Sequence, residues 1–291
     1  MVRRRHRLDR AVTCAHFASI AGAAQVGDNA GKRRLILIFY AFAREIAPFK
    51  RKLVNRRTLE HPGLRGFRGR LDRIDVAAVA TGVGMTRARE AARRAFEFCG
   101  DVRMAIATGV AGALTEGLTP GHLVLADRLI AHRAADADIE HLGVIDRAHL
   151  EGIGKALRGA GLPYSLGPIL TSHRILPGSA AKREAGKSTG AIAVDMETAT
   201  IAEEAAARGI PFVCLRAIID EVDDEVVGAE LTDEAGEVSA WAAAGHLMRN
   251  PGDFLKLPRM MLNLSRATRA LAEALEAIAL HTPSDSARES A

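Results

Sequence analysis

Asp220 is the residue best placed for acid chemistry. It closes the run Pro211-Phe-Val-Cys-Leu-Arg-Ala-Ile-Ile-Asp, in which Arg216 is the one charged residue before it. Such a run reads as a buried strand, and a carboxyl group at its carboxyl end is partly desolvated. Desolvation favours the neutral, proton-donating form. At an ordinary pKa of about 3.9 only about 0.1% of the carboxyl holds its proton at pH 7, whereas a value of about 6 gives roughly 10%, for about 3 kcal/mol of environmental bias.

Asp195-Met196-Glu197 supplies two further carboxylates. The alanine-rich stretch that follows predicts a helix over 195–208 ended by Gly209. The acids either cap its positive end or face a ligand. Two glycine-rich segments, Thr81-Gly82-Val-Gly84 and Gly109-Val110-Ala-Gly112, each follow a strand-like run. As turns they would bring backbone N–H groups close to an anion or a sugar. Neither completes a dinucleotide fingerprint or carries a Walker lysine, so ordinary tight turns remain an equal reading.

The elements that must position these residues alternate. Strands are predicted at 34–41, 66–71, 75–80, 104–108, 121–127, 167–172 and 212–219, with helices at 42–53, 87–99, 146–160 and 195–208. This alternation predicts stacked α/β layers with ligands gathered at the carboxyl ends of the strands. A last amphipathic stretch, 253–280, is one helix or two with a break near Pro258. It either covers the sheet or meets a lipid.

The 291 residues, 48% hydrophobic, suffice for one large domain with ragged ends. The expected division is a basic, disordered extension over 1–32, a domain over 33–282 and a disordered tail over 283–291. Lys+Arg 40 exceeds Asp+Glu 35, and five arginines crowd positions 2–10. With aromatics at 4% and no reading motif, that charge is expected to be solvated surface and not a nucleic-acid site. Residues 11–24 imitate a signal peptide, but Thr13, His16 and Ser19 interrupt the apolar stretch. Cys14, Cys99 and Cys214 form no metal-ligand spacing, which implies a reducing compartment and no metal. No apolar run is long enough to span a bilayer.

Taken together, Ala193-Val-Asp-Met-Glu-Thr-Ala-Thr-Ile-Ala, Pro211 to Asp220, Ala107-Thr-Gly-Val-Ala-Gly-Ala-Leu and Ala41-Phe-Ala-Arg-Glu45 resemble the purine nucleoside phosphorylase and methylthioadenosine/S-adenosylhomocysteine nucleosidase superfamily. The resemblance covers about residues 34–280. It implies a single-domain three-layer α/β/α fold with a mixed central sheet. It also implies cleavage of a purine, expected to be adenine, from its ribose. Asp220 would protonate N7 of the departing base and Glu45 would activate water. Met196 would pack on the sugar, Glu197 would bind the ribose hydroxyls, and Asp195, Ile175, Gly82, Gly109 and Val110 would complete the substrate site.

The sequence departs from the family at three contact positions. Val110 replaces a serine, Ala107 an arginine of the hexameric phosphorylases, and Ile175 an aromatic ring of the nucleosidases. Phosphate binding and base stacking are weakened accordingly, although phosphate stays open as a co-substrate. No cofactor is implied. The segments Val238-Ser-Ala-Trp-Ala, Met248 to Phe254 and Leu257 to Met261 are similar to the hopanoid-associated phosphorylases, which remove adenine from adenosylhopane. In that case Met260, Met261 and Leu264 would line a lipid channel. The expected partners are a purine nucleoside or adenosyl lipid and further copies of the chain. The expected location is the cytoplasm, with peripheral contact to the inner membrane for a lipid substrate. The alternatives are a methylthioadenosine/S-adenosylhomocysteine-type nucleosidase and a non-catalytic nucleoside-binding module.

Overall fold

The computed structural model describes residues 35–224 and 257–281. The arginine-rich extension, Cys14, the motifs between 238 and 256 and the tail expected from 283 lie outside the described residues.

A mixed sheet of ten strands organises the molecule. The strands are β1 (Leu35–Tyr40), β2 (Val54–Thr58), β3 (Arg65–Leu71), β4 (Ile74–Ala80), β5 (Val102–Ala113), β6 (Leu123–His132), β7 (Glu140–Val144), β8 (Tyr164–Ser172), β9 (Ala193–Asp195) and β10 (Phe212–Asp220). The helices are α1 (Ala43–Lys52), α2 (Met85–Cys99), α3 (Arg147–Gly159), α4 (Gly178–Thr189), α5 (Thr198–Ala206) and α6 (Leu257–His281). All six residues of β1 are buried, as a parallel strand covered on both faces requires.

The strand order is β10-β6-β8-β9-β5-β1-β4-β3-β2, and β10 also pairs with β5. The sheet therefore closes on itself through β5, β10, β6, β8 and β9. Three residues of β9 complete the ring, antiparallel to β5 and parallel to β8. One layer of helices packs Ile46 and Phe49 of α1, Leu150 and Leu157 of α3, and Leu271, Leu275 and Ile278 of α6 against the sheet. The opposite layer packs Ala88, Ala92 and Phe96 of α2 with Ile201 and Ala205 of α5. The expected layered α/β fold with a large mixed sheet is the one found.

Several boundaries differ from the sequence reading. The segment Gly109–Ala113 is not a turn but part of the twelve-residue β5. Asp195 ends β9, and the helix begins only at Thr198. The C-terminal stretch is one helix of 25 residues. Pro258 does not break it because it stands in the first turn, where its missing N–H has no partner to lose. Helix α4 was not foreseen: Gly178-Ser-Ala-Ala-Lys-Arg-Glu-Ala-Gly-Lys-Ser-Thr has no apolar stripe. Its Gly186 is explained by packing, since a Cβ there would lie 2.6 Å from the Leu114 carbonyl oxygen.

Candidate active site

The strand register brings the chemistry together. Arg216 on β10 lies opposite Gly109 on β5, Asp220 opposite Gly112, and Asp195 on β9 opposite Thr171 on β8. Between these strand ends, the start of α1 and the start of α6 lies a cavity of about 500 Å³, within the range of small-ligand sites.

Arg216 is the charge around which one wall is built. Only 1% of it is exposed. Its Nη2 forms an ion pair with Asp195, donates to Thr198 Oγ1 at 2.8 Å and lies 3.8 Å from Glu197 Oε2. Its Nη1 donates to the Thr108 carbonyl at 3.3 Å. Asp195 accepts from Thr171 Oγ1 at 2.8 Å and from the Thr198 backbone N–H at 3.2 Å. These contacts turn Asp195 away from simple helix capping and make it the counter-ion of Arg216.

Glu197 accepts from the Gly84 N–H at 2.9 Å, which joins the Thr81–Gly84 turn to the start of α5. Burial and the neighbouring Asp195 push its pKa up to about 7, against the pull of Arg216. It is therefore poised between neutral and ionised near physiological pH.

Glu45, in the first turn of α1, is 3% exposed. Its Oε2 accepts from the N–H groups of Ala41 and Phe42, and its Oε1 from that of Val110, each at 2.9 Å. A carboxylate offers about four lone-pair sites, so this arrangement leaves one for a ligand. Burial raises its pKa, while the three N–H donors and Arg216 draw it back.

Asp220 lines the same cavity from the end of β10. Burial and Asp224 raise its carboxyl above the ordinary range, and the adjacent Lys182 ammonium opposes them. The desolvation expected at the end of an apolar strand is present, but it is not the whole environment. Lys182 is 1% exposed and ion-paired with Asp220.

Asp220, Glu45, Asp195, Met196, Glu197, Ile175 and Val110 all line the cavity. Among the described lining residues, Gly82 and Gly109 do not appear; Val83, Ala111 and Gly112 do. Gly109 instead stands behind the wall. Its φ is +144°, and a Cβ there would lie 2.7 Å from both Arg216 Nη1 and Glu45 Oε1. Ala107, where a phosphorylase arginine was considered, is fully buried in the core against α5.

Sequence reasoning missed two residues. Arg216 carried a signal, because a charge inside an apolar strand demands a buried partner. Lys182 carried none.

A partly closed α/β sheet with carboxylates gathered at its strand ends is the layout of a nucleoside phosphorylase or nucleosidase. The sequence matches the phosphorylase superfamily over residues 35–247, and the chain belongs to that superfamily, as an enzyme. Similar solved structures include 5′-methylthioadenosine/S-adenosylhomocysteine nucleosidase of Neisseria meningitidis in complex with methylthio-immucillin-A. It is 20% identical, with a TM-score of 0.63 over 84% of this chain and 99% of that one. S-adenosylhomocysteine nucleosidase of Streptococcus pyogenes is 20% identical, with a TM-score of 0.64 over 85% and 98%. Futalosine hydrolase of Helicobacter pylori is 16% identical, with a TM-score of 0.61 over 84% and 97%.

Gly109→Ala is expected to push Arg216 and Glu45 apart and destabilise the fold by roughly 1–3 kcal/mol. Urea unfolding should show a lower midpoint with an unchanged slope. A midpoint equal to the parent's would mean that the carboxylate and guanidinium do not depend on this close approach.

Proposed function

We propose that the enzyme cleaves the N-glycosidic bond of an adenine nucleoside. The observation that carries this is that a half-buried acid, Asp220, lines one cavity together with the two buried carboxylates Glu45 and Glu197. Asp220 gives its proton to N7 of the base as the C1′–N9 bond breaks, so that the base leaves neutral. The ribose becomes oxocarbenium-like, and the two carboxylates stabilise that positive charge. Glu197 accepts hydrogen bonds from the ribose hydroxyls, Met196 packs on the sugar, and Ile175 lies beside the base. Glu45 takes the proton of the attacking nucleophile through its remaining lone pair.

Charge favours water as that nucleophile. Beside Glu45 stands Glu197, and the nearby guanidinium of Arg216 is already engaged by Asp195. A phosphate dianion there would face like charge.

The 5′ substituent we infer is long and apolar, as in adenosylhopane. Met260 of α6 lines the cavity and is 38% exposed, an apolar contact for such a substituent. A neighbouring groove of about 560 Å³ sets Arg44, Arg51 and Arg269 beside Met261 and Leu264, with Glu273 and the Glu276-paired Lys52 also present, and its excess of positive charge suits an anionic lipid surface. A short polar substituent would make no use of these apolar side chains.

Purified enzyme incubated with adenosine, a 5′-methylthio analogue and a 5′-alkyl analogue should release free adenine, fastest from the alkyl compound and without added phosphate. Asp220→Asn should lower kcat by roughly 10²–10⁴-fold, the range for loss of a general acid, and Glu45→Gln should abolish the phosphate-independent release. Release that depends on phosphate would assign the nucleophile to phosphate. No release from any of the three by folded enzyme would refute the function.

The Glu197 shift gives a second expectation. Ribose hydroxyls bond more strongly to a carboxylate than to a carboxylic acid, so binding should tighten as pH rises through about 7. Calorimetry with an uncleavable C-nucleoside should show this rise, and Glu197→Gln should flatten it. A pH-independent affinity in the parent would remove Glu197 from sugar binding.

A further inference from the structure

Lys182 is a charged side chain enclosed in the protein on a helix with no apolar stripe. Its ammonium group meets three acceptors: Asp220 Oδ2, the Glu221 carbonyl at 2.9 Å and the Asp224 carbonyl at 3.0 Å. Three donors match three acceptors, which fits a cation; a neutral amine has two donors and would turn a lone pair towards an oxygen. The same contacts tie down the turn after β10, where Asp224 N–H donates to the Glu221 carbonyl and Asp224 Oδ2 accepts from Glu221 N–H, both at 3.0 Å.

We propose that Lys182 is the positioning residue of the leaving-group acid, holding the Asp220 carboxyl by Oδ2 and leaving Oδ1 to meet the base. The proposal rests on the reading of Asp220 as that acid. A carboxyl group on a strand end can rotate, and proton transfer to N7 requires one oxygen at hydrogen-bond distance and in the plane of the purine. The Lys182 clamp removes that rotation. It does so without solvent, since Lys182 is 1% exposed.

The clamp also carries charge. Facing Asp220 on its own side are Lys182 of α4 and Asp224 of the following turn. Arg259 of α6 lies 3.0 Å from Asp224 and 4.0 Å from Glu221, and Asp223 is paired with Arg183 at 2.7 Å. The same cavity is lined by Glu45, Arg174, Asp195 and Glu197, and Arg216 is paired with Asp195. Lys182 is the one cation of this set in direct contact with the Asp220 carboxyl among the described residues. Its removal would leave burial and Asp224 unopposed, and Asp220 would keep its proton to higher pH.

Lys182→Met keeps the length of the stem and removes the charge. Two readouts test it. Titration of Asp220 followed through its 13Cγ resonance should move to higher pH, and the alkaline limb of kcat against pH should move with it. At the same time kcat at its optimum should fall by roughly 10²-fold, as for a misplaced reacting group, while KM changes little. An Asp220 titration that stays where it is in the parent, or an undiminished kcat, would overturn the proposal. The resonance is read without any nucleoside, so a failure of nucleoside cleavage in the parent enzyme is a separate result. If Lys182→Met does not fold, Lys182→Arg decides. It keeps the charge, so the pH profile should stay close to the parent's, but its planar fork cannot serve the same three acceptors and kcat should fall. A fully active Lys182→Arg would show that the clamp is not needed.

Discussion

The buried guanidinium of Arg216 is the constraint to which the rest of the site answers. A cation that far from water is tolerated only if it is paired and hydrogen-bonded, and removing one partner of such a pair costs about 3–5 kcal/mol. The sheet meets this demand by register. Gly109 stands opposite Arg216 and leaves room for it, β9 brings Asp195 into contact, and the start of α5 supplies Thr198 and Glu197. Closing the sheet through the short β9 is what puts these partners on one side of β10.

The same arrangement sets the electrostatics of the cavity. Burial and the neighbouring Asp195 push the Glu197 pKa up to about 7, and because Asp195 also compensates Arg216 directly, Glu197 has only part of that charge to draw on. Glu45 is held by three backbone N–H groups, with no ion pair to a lysine or arginine among the described residues. The cavity thus gathers Glu45, Asp195 and Glu197, which in the proposed function serve a sugar that becomes positive, and Asp220 with Lys182, which serve a base that becomes negative. Their presence on one cavity, more than any single residue, supports the proposed glycosidic cleavage.

Much of this was legible in the sequence. The apolar run ending at Asp220 indicated both a strand and a desolvated acid, and the Asp195-Met196-Glu197 cluster, which capping could equally explain, lies on the cavity. The glycine segment at 109–112 was misjudged as a turn because glycine density marks both turns and close packing; Gly109 serves the second purpose, inside a strand. The helix was started too early at Asp195, since an acid before an alanine-rich stretch looks like a cap when its buried arginine lies 21 residues away in the chain. Lys182 was invisible for a stronger reason: nothing local distinguishes it from a surface lysine on a polar helix, and its burial arises only when α4 docks beside the turn after β10.

Protonation of the leaving base at N7 is the step on which the proposed chemistry turns, and a substrate lacking that nitrogen isolates it. Adenosine and 7-deazaadenosine carrying the same 5′ group should be compared for binding by calorimetry and for base release in a single turnover. The deaza compound, whose carbon cannot accept the Asp220 proton, should bind with similar affinity and stay uncleaved while adenosine is cleaved. Release of both bases at equal rates would contradict the assignment of Asp220 as the acid that departs with the purine.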